Sequence, residues 1–325
     1  IIQVARPKGP ILATVPITNP TSTAIFKTLI CMKTRNPVIF SAHRGARKCV
    51  KETVRILAEA AEAAGAPAHA IQAMTRGQKD HLERVMTHPD LAMILATGTS
   101  SIVELAQHSG TPTLGVGPGN VPVYVHATAD LPLAARSILH SKTFDNGTVC
   151  ASEQALVVER DVAEPLEPLL EERGAYLCTR DQAVALGPVC FDMDNMRMRP
   201  EAVGQPAAAI AERAGFAVPK GTRLLIAEPG GVGPEHPLSH ELLMPVLSYY
   251  RCDSYDEALA VCRAVGHRGG IGHTVGVYAN DARVIADFAK MDAARILVNT
   301  PSTQGAIGGI FISLRPSLSL GCGAG

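Results

Sequence analysis

The stretch Thr143–Gln154, reading TFDNGTVCASEQ, puts one cysteine, Cys150, among small and polar residues directly ahead of the apolar run Ala155–Val158. A thiol on a loop that leads into a strand meets backbone N–H groups that no ladder has yet taken. It can attack a carbonyl once a base, a cation or a helix N-terminus populates its thiolate. The competing role is a packing thiol, one of eight cysteines in the chain. Asn19 stands in Thr18-Asn19-Pro20-Thr21-Ser22, between a strand and a helix start. Its amide can cap that helix. It can equally donate to an oxyanion, where removing one donor typically costs roughly 3–4 kcal/mol.

Three further positions carry chemistry. Thr97-Gly98-Thr99-Ser100 joins a buried strand to a helix, and small residues there let a phosphate approach the free N–H groups of the helix start. It is not a G-x-G-x-x-G sequence, and an ordinary tight turn fits it as well. Glu241, in HELLMP, is either a solvated carboxylate or an acceptor for two ribose hydroxyls. His273, in GGIGHT, is either a base near a thiol or a histidine held by a hydrogen bond. The eleven histidines show no zinc spacing with cysteine and no H-E-x-x-H, so no metal is expected.

The elements that must position these residues read as α/β. The first third alternates strands Ile11–Val15, Pro37–Phe40, Ala70–Ala73, Leu91–Ala96 and Thr113–Val116 with helices Ala24–Lys33, Ala46–Ala64 (stopped by Gly65), Gln78–Met86 and Ser101–His108. Strands joined by helices without hairpin signals imply a parallel sheet covered on both faces, with ligands at the carboxyl ends of its strands. Gly115–Pro122 is a breaker-rich joint and the expected domain boundary. Beyond it lie strands Val123–Val125, Ala155–Val158, Arg223–Ala227, Met244–Tyr250, Thr274–Tyr278 and Arg295–Asn299. The helices among them are Leu133–Ser141, Ala163–Glu172, Pro206–Ala214, Tyr255–Val265 and Ala282–Lys290.

Composition narrows the classes. Of 325 residues, 46% are hydrophobic and 18% charged, so a large core forms and global disorder is excluded. A formal net charge of +0 argues against nucleic acid or an anionic membrane as partner. No apolar run is long enough to span a bilayer. The cysteines show no C-x-x-C pair and read as reduced thiols of a cytoplasmic protein. The chain starts Ile1-Ile2-Gln3 and ends in a glycine-rich tract, which reads as the interior of a longer protein.

Taken together, six blocks in order resemble the aldehyde dehydrogenase superfamily: Thr18–Ser41, Leu114–Val125, Phe144–Gln154, Pro237–Leu247, Gly269–Tyr278 and Arg295–Gly308. They are most similar to its coenzyme-A-acylating branch, which acts on acetaldehyde, propionaldehyde or sulfoacetaldehyde. The resemblance implies a Rossmann-type cofactor domain over 1–117, a catalytic domain over 118–315 and the start of a C-terminal return segment over 316–325. It implies Cys150 as catalytic thiol and Asn19 as oxyanion donor acting with the Cys150 N–H, while His273 stays a candidate base on its loop setting alone. For the cofactor it implies Thr18, Ser41, His43, Arg44, Thr97, Gly98, Thr99 and Gly115, with Glu241 on the nicotinamide ribose. NAD is the implied cofactor, NADP an alternative through Arg44, and coenzyme A the co-substrate. A homo-oligomer is implied, in the cytoplasm or in a bacterial microcompartment.

One departure is informative. Hydrolytic members carry a glutamate base at the start of the block matched by Leu114–Asn120, where this chain has Gly, Val, Pro and Asn. Without that base water attacks a thioester slowly, whereas a thiol of pKa near 8.5 is already a few per cent ionised at pH 7. The expectation is therefore oxidation of a short aldehyde to its acyl-CoA through a Cys150 thioester. The alternatives are a sulfoacetaldehyde or other small-aldehyde enzyme, a non-acylating dehydrogenase, and a catalytically silent scaffold.

Overall fold

In the computed structural model, residues 4, 6–74, 79–269, 271–308, 313 and 315–317 are described. Contacts divide the chain into a unit running to Gly117, which also takes in Ser317, and a unit from Pro118 to Pro316.

The first unit holds β1 (Ile11–Val15), α1 (Pro20–Lys33), β2 (Val38–Ala42), α2 (Arg47–Ala63), β3 (Ile71–Ala73), α3 (Lys79–Met86), β4 (Met93–Thr97), α4 (Ser100–His108) and β5 (Thr113–Val116). Its strands are all parallel, in the order β3-β2-β1-β4-β5. Successive β1 side chains point to opposite faces. Ile11, Ala13 and Val15 pack with Val50 and Val54 of α2, while Leu12 packs with Met86 of α3 and Val103 of α4. The chain leaves β1 for β2 on one side and reaches β4 on the other, so the junction of β1 and β4 is a topological switch point.

The second unit holds β6 (Val121–Val125), α5 (Leu131–Thr143), β7 (Glu153–Glu159), α6 (Arg160–Glu171), β8 (Ala175–Leu177), α7 (Arg180–Cys190), β9 (Phe191–Asp192), β10 (Arg197–Met198) and α8 (Ala207–Arg213). β11 (Leu224–Ala227), β12 (Val246–Cys252), α9 (Tyr255–Gly269), β13 (Thr274–Tyr278), α10 (Ala282–Phe288), β14 (Arg295–Val298) and α11 (Ser302–Ile307) complete it. The main sheet is parallel in the order β14-β13-β6-β7-β12-β11-β8. β7 lies at its centre: Leu156 and Val158 meet Ile138 of α5 and Leu166 of α6, and Val157 meets Cys262 and Val265 of α9. A strand buried on both faces reads as a continuous apolar run, which is how Ala155–Val158 appears in sequence.

The α/β reading holds in both units. Three strands, β1, β5 and β13, have the expected bounds, and the others differ at their ends. The Gln78 start of the third helix lies outside the described residues, as does the segment from residue 318. The reading missed β8, α7 and α11 and the small antiparallel pair β9–β10. Pro188 sits inside the last turn of α7, where its missing N–H leaves the Val184 carbonyl without its helical donor. The signal that would have found α7 is its capping box: Thr179 accepts from the Gln182 N–H and Gln182 accepts from the Thr179 N–H.

Candidate active site

In the first unit the positions singled out from sequence gather at the carboxyl edge of the sheet: Thr18 and Asn19 after β1, Ser41 to Arg44 at the end of β2, and Thr97 to Thr99 at the end of β4. Asn19 is the N-cap residue of α1 by position, and Pro20 fits the first turn, where its missing N–H is not needed. Its side chain makes no cap hydrogen bond. Oδ1 only accepts a 3.5 Å contact from the Thr18 hydroxyl, so the amide N–H₂ is left unengaged among the described residues. That removes the capping explanation for this asparagine.

A group the sequence reading overlooked holds this edge together. Lys27 of α1 is fully buried, and its Nζ donates to the carbonyls of Thr14 (2.8 Å) and Leu95 (2.9 Å) and to Thr97 Oγ1 (2.9 Å). The amine thus ties β1 to β4 at the switch point, and burial lowers its pKa to about 7. Thr14 Oγ1 adds a second tie, donating to the Thr97 carbonyl and accepting from the Thr97 N–H.

The other first-unit positions have mixed roles. The Gly98 N–H is taken by the Val116 carbonyl at 3.3 Å, whereas the first N–H groups of α4 lack helical partners. Thr99 Oγ1 turns to Ser101 at 3.0 Å. Gly115 has a packing reason, since a Cβ there would lie 2.7 Å from Val103 of α4. Ser41 is buried in β2, His43 Nδ1 accepts from the Gly45 N–H at 3.1 Å, and Arg44 is exposed.

In the second unit the sequence-predicted residues meet at the opposite, amino edge of the sheet. Gly119 precedes β6, Cys150 precedes β7, Glu241 and Met244 precede β12, and His273 precedes β13; these four strands are neighbours. Phe144–Gly147 is a tight coil in which Asp145 and Asn146 have φ of 49° and Gly147 has φ of 75°. Asn, Asp and Gly are the residues that tolerate this left-handed region. Gly147 is needed twice over, because a Cβ would lie 2.6 Å from the Met244 carbonyl oxygen. The chain then turns from Val149 to Ser152, closed by the Ser152 N–H donating to the Val149 carbonyl at 2.9 Å, with Cys150 in the turn.

Cys150 is half-buried. Burial, with a smaller push from Glu241, raises the thiol to about 12; the N–H groups of Cys150 and Ala151 and the charge of Arg295 oppose the rise. Glu241 Oε1 accepts from the Gly119 N–H at 2.9 Å. Among the described residues its second oxygen accepts nothing. Burial raises this carboxyl to about 7, against the Gly119 bond and the charge of Lys142. His273 is 6% exposed; Nδ1 meets Thr274 Oγ1 at 3.1 Å, and Nε2 is buried with no partner. Burial and Arg295 lower its pKa to about 4, which keeps the imidazole neutral. Gly119 is the hub of this cluster. A Cβ on it would stand 2.6 Å from the Cys150 carbonyl oxygen and 2.9 Å from the His273 ring.

Gly119, Arg295, Lys142 and Gln154 were not singled out from sequence. The first lies in a block read as a joint and as part of the family resemblance, with no role given to the residue itself, and nothing in the local sequence of the others marks them as buried polar groups. Among the described residues no group of three His, Cys, Asp or Glu side chains is placed to hold a metal, and no helix is long and apolar enough to cross a membrane.

A parallel sheet with a switch point, and a second parallel sheet with a thiol turn at its amino edge, define a Rossmann-type α/β fold carrying a cysteine centre. The match to the aldehyde dehydrogenase family runs over residues 1–312, and the chain belongs to that family. It is 44% identical over 328 residues to the bifunctional aldehyde-alcohol dehydrogenase AdhE of Escherichia coli, covering 99% of this chain and 37% of the relative. The chain therefore spans little more than a third of the length of the aldehyde-alcohol dehydrogenases it matches. The acetylating aldehyde dehydrogenase of Geobacillus thermoglucosidasius superposes with a TM-score of 0.93 at 43% identity, covering 98% of this chain and 70% of that one. A propionaldehyde dehydrogenase of Rhodopseudomonas palustris, solved with bound CoA and an acylated cysteine, superposes at 0.88 with 27% identity, covering 97% of this chain and 71% of its own.

Proposed function

We propose that this chain carries out coenzyme-A-acylating oxidation of a short aldehyde, acetaldehyde or a close relative, using NAD⁺ and forming acyl-CoA through a thioester on Cys150. The observation that carries the reading is the setting of Cys150. It is a thiol in a turn closed by the Ser152 N–H on the Val149 carbonyl, on the same sheet edge as Glu241 and His273.

Each unit by itself offers groups suited to part of a nicotinamide dinucleotide. The switch point of the first sheet ends in the start of α4, whose first N–H groups suit a diphosphate. In the second unit, Glu241 has one oxygen fixed by Gly119 and one free for ribose hydroxyls. The first unit is read as the cofactor domain, with Thr18, Ser41, His43, Arg44, Thr97, Gly98, Thr99 and Gly115 around the cofactor. When bound, NAD⁺ supplies the hydride acceptor; NADP is accommodated if Arg44 takes the 2′-phosphate.

Cys150 is the nucleophile, and its elevated pKa means that its proton must leave as it attacks the carbonyl. His273 serves this transfer: with Nδ1–H on Thr274 Oγ1, Nε2 is an unoccupied acceptor. Asn19 Nδ2, with no structural bond to give up, and the Cys150 N–H are the oxyanion donors. No carboxylate occupies the Leu114–Asn120 block, so the thioester waits for a thiol rather than for water. Ping-pong behaviour follows. The enzyme is taken to be a cytoplasmic homo-oligomer, as the resemblance implies.

The test is an aldehyde panel with NAD⁺ or NADP⁺, with and without coenzyme A, on the complete protein and its Cys150→Ser variant. Reduced cofactor that appears only with coenzyme A, and is lost in Cys150→Ser, supports the reading. Reduction that ignores coenzyme A, or full activity of Cys150→Ser, overturns it.

A further inference from the structure

We infer that Lys142 is a positioning residue that, with Gln154, locks both ends of the Cys150 loop onto the backbone beside Glu241. Lys142 is in the last turn of α5 and fully buried. Its Nζ donates to Gln154 Oε1 at 3.1 Å and to the Leu242 carbonyl at 3.0 Å. The same Gln154 oxygen accepts from the Leu242 N–H at 2.9 Å. Leu242 thus has both main-chain groups held by one amine and one amide. One of these comes eight residues before Cys150 and the other four residues after it. Leu242 directly follows Glu241, and Gly147, midway along the loop, presses on the Met244 carbonyl. The loop and the carboxylate segment are therefore keyed together at three points.

Among the described residues the amine makes no other hydrogen bond and no ion pair within 4 Å, and the carboxylates that influence it, Glu153 and Glu241, make no hydrogen bond to it. Burying an amine costs free energy that an aliphatic side chain of the same length would not incur. Its contribution is thus geometric. Burial lowers its pKa to about 7, and the neutral amine still has two N–H groups for the two bonds, so the clamp outlasts loss of the charge. A shift of about 1 Å in a reacting group costs on the order of 10²-fold in rate, which is the leverage such a clamp has over Cys150 and Glu241.

The inference rests on the proposed roles of Cys150 and Glu241. Its test compares Lys142→Met, Gln154→Leu and Cys150→Ser in the complete protein by three readouts: thermal unfolding, the rate at which iodoacetamide alkylates Cys150 without cofactor, and kcat and KM for NAD⁺ with acetaldehyde and coenzyme A. The expected result is a Lys142→Met protein that stays folded, with an alkylation rate changed at least about fivefold and kcat lowered about tenfold or more. Gln154→Leu should move the same readouts in the same direction. If Lys142→Met leaves alkylation and kcat within about twofold while Cys150→Ser is inactive, the inference fails and the proposed function stands. If Cys150→Ser is active, the proposed function fails, and the alkylation rate still decides the clamp. If neither Lys142→Met nor Gln154→Leu folds, the pair holds the fold rather than the site, and the inference is overturned.

Discussion

The N–H of Gly119 donates to Oε1 of Glu241 at 2.9 Å, joining residues 122 positions apart. The same glycine is pressed against the Cys150 carbonyl and the His273 ring. One residue without a side chain thus sets the spacing of a thiol, a carboxylate and an imidazole. Four predictions start from contacts of this kind.

Gly119→Ala places a methyl group 2.6 Å from the Cys150 carbonyl oxygen and 2.9 Å from the His273 ring. Something must shift, and the nearest atom is backbone. The variant should lose roughly 1–3 kcal/mol of stability and on the order of 10²-fold in kcat. Thermal unfolding and steady-state kinetics check both.

Burial raises the Glu241 carboxyl to about 7, and in the proposed ribose-binding role its ionised form is the stronger acceptor of hydroxyl bonds. The KM for NAD⁺ should fall about tenfold between pH 6 and pH 8, because the ionised fraction rises through that window. For stability the sign is opposite. The folded state binds this proton between pH 4.5 and about 7 while the unfolded state does not, so this group's contribution shrinks as pH rises there. Glu241→Gln should flatten both dependences, measured as KM profiles and as melting temperature against pH.

Asn19→Ala separates an oxyanion donor from a helix cap. An N-cap asparagine replaced by alanine costs about 1 kcal/mol and leaves chemistry alone. Since no cap bond exists here, the melting temperature should stay put while kcat drops about 10²–10³-fold. Asn19→Asp, which keeps the shape but not the N–H₂, should be as impaired as Asn19→Ala. A kcat that survives either change would remove Asn19 from the mechanism.

Lys27 is fully buried with its pKa lowered from 10.5 to about 7. Between those values the unfolded chain holds a proton that the folded one has released, so stability from this group rises with pH from about 7 towards 10. Lys142 behaves alike. The melting temperature should climb between pH 7 and pH 9, and Lys27→Met should reduce that climb. An unchanged pH slope in Lys27→Met would show that Lys27 titrates normally.

Much of this was legible before any coordinates. Ile11–Val15 and Thr274–Tyr278 announce themselves because a strand buried on both faces is mostly apolar, Thr14 and Thr274 being the polar exceptions, and Gly65 marks where α2 must stop. The residues around Asn19, Cys150 and Glu241 each have an ordinary structural reading, and it is their order along the chain that resembles the family. α7 stayed hidden because Pro188 lowers local helix propensity, while the helix is started by the Thr179–Gln182 capping box and held by packing between distant segments. Arg295, which opposes the rise of the Cys150 thiol, opens β14 and looks like any basic residue at a strand start.

By itself the sequence determined the class: short apolar strands alternating with amphipathic helices can bury their faces only as covered parallel sheets, and six ordered blocks name the family. It also determined which thiol stands in a turn, since Asp145, Asn146 and Gly147 accept a backbone that few other residues do. Only the tertiary structure decided which edge of each sheet is used. The first unit gathers its positions at the carboxyl edge, as parallel sheets generally do, and the second gathers Cys150, Glu241 and His273 at the amino edge. It alone decided that Lys27 and Lys142 are buried clamps rather than surface charges. Strand order and burial arise from contacts between segments far apart in the chain, and no local pattern of residues encodes the environment that sets a lysine's proton affinity or a thiol's neighbours.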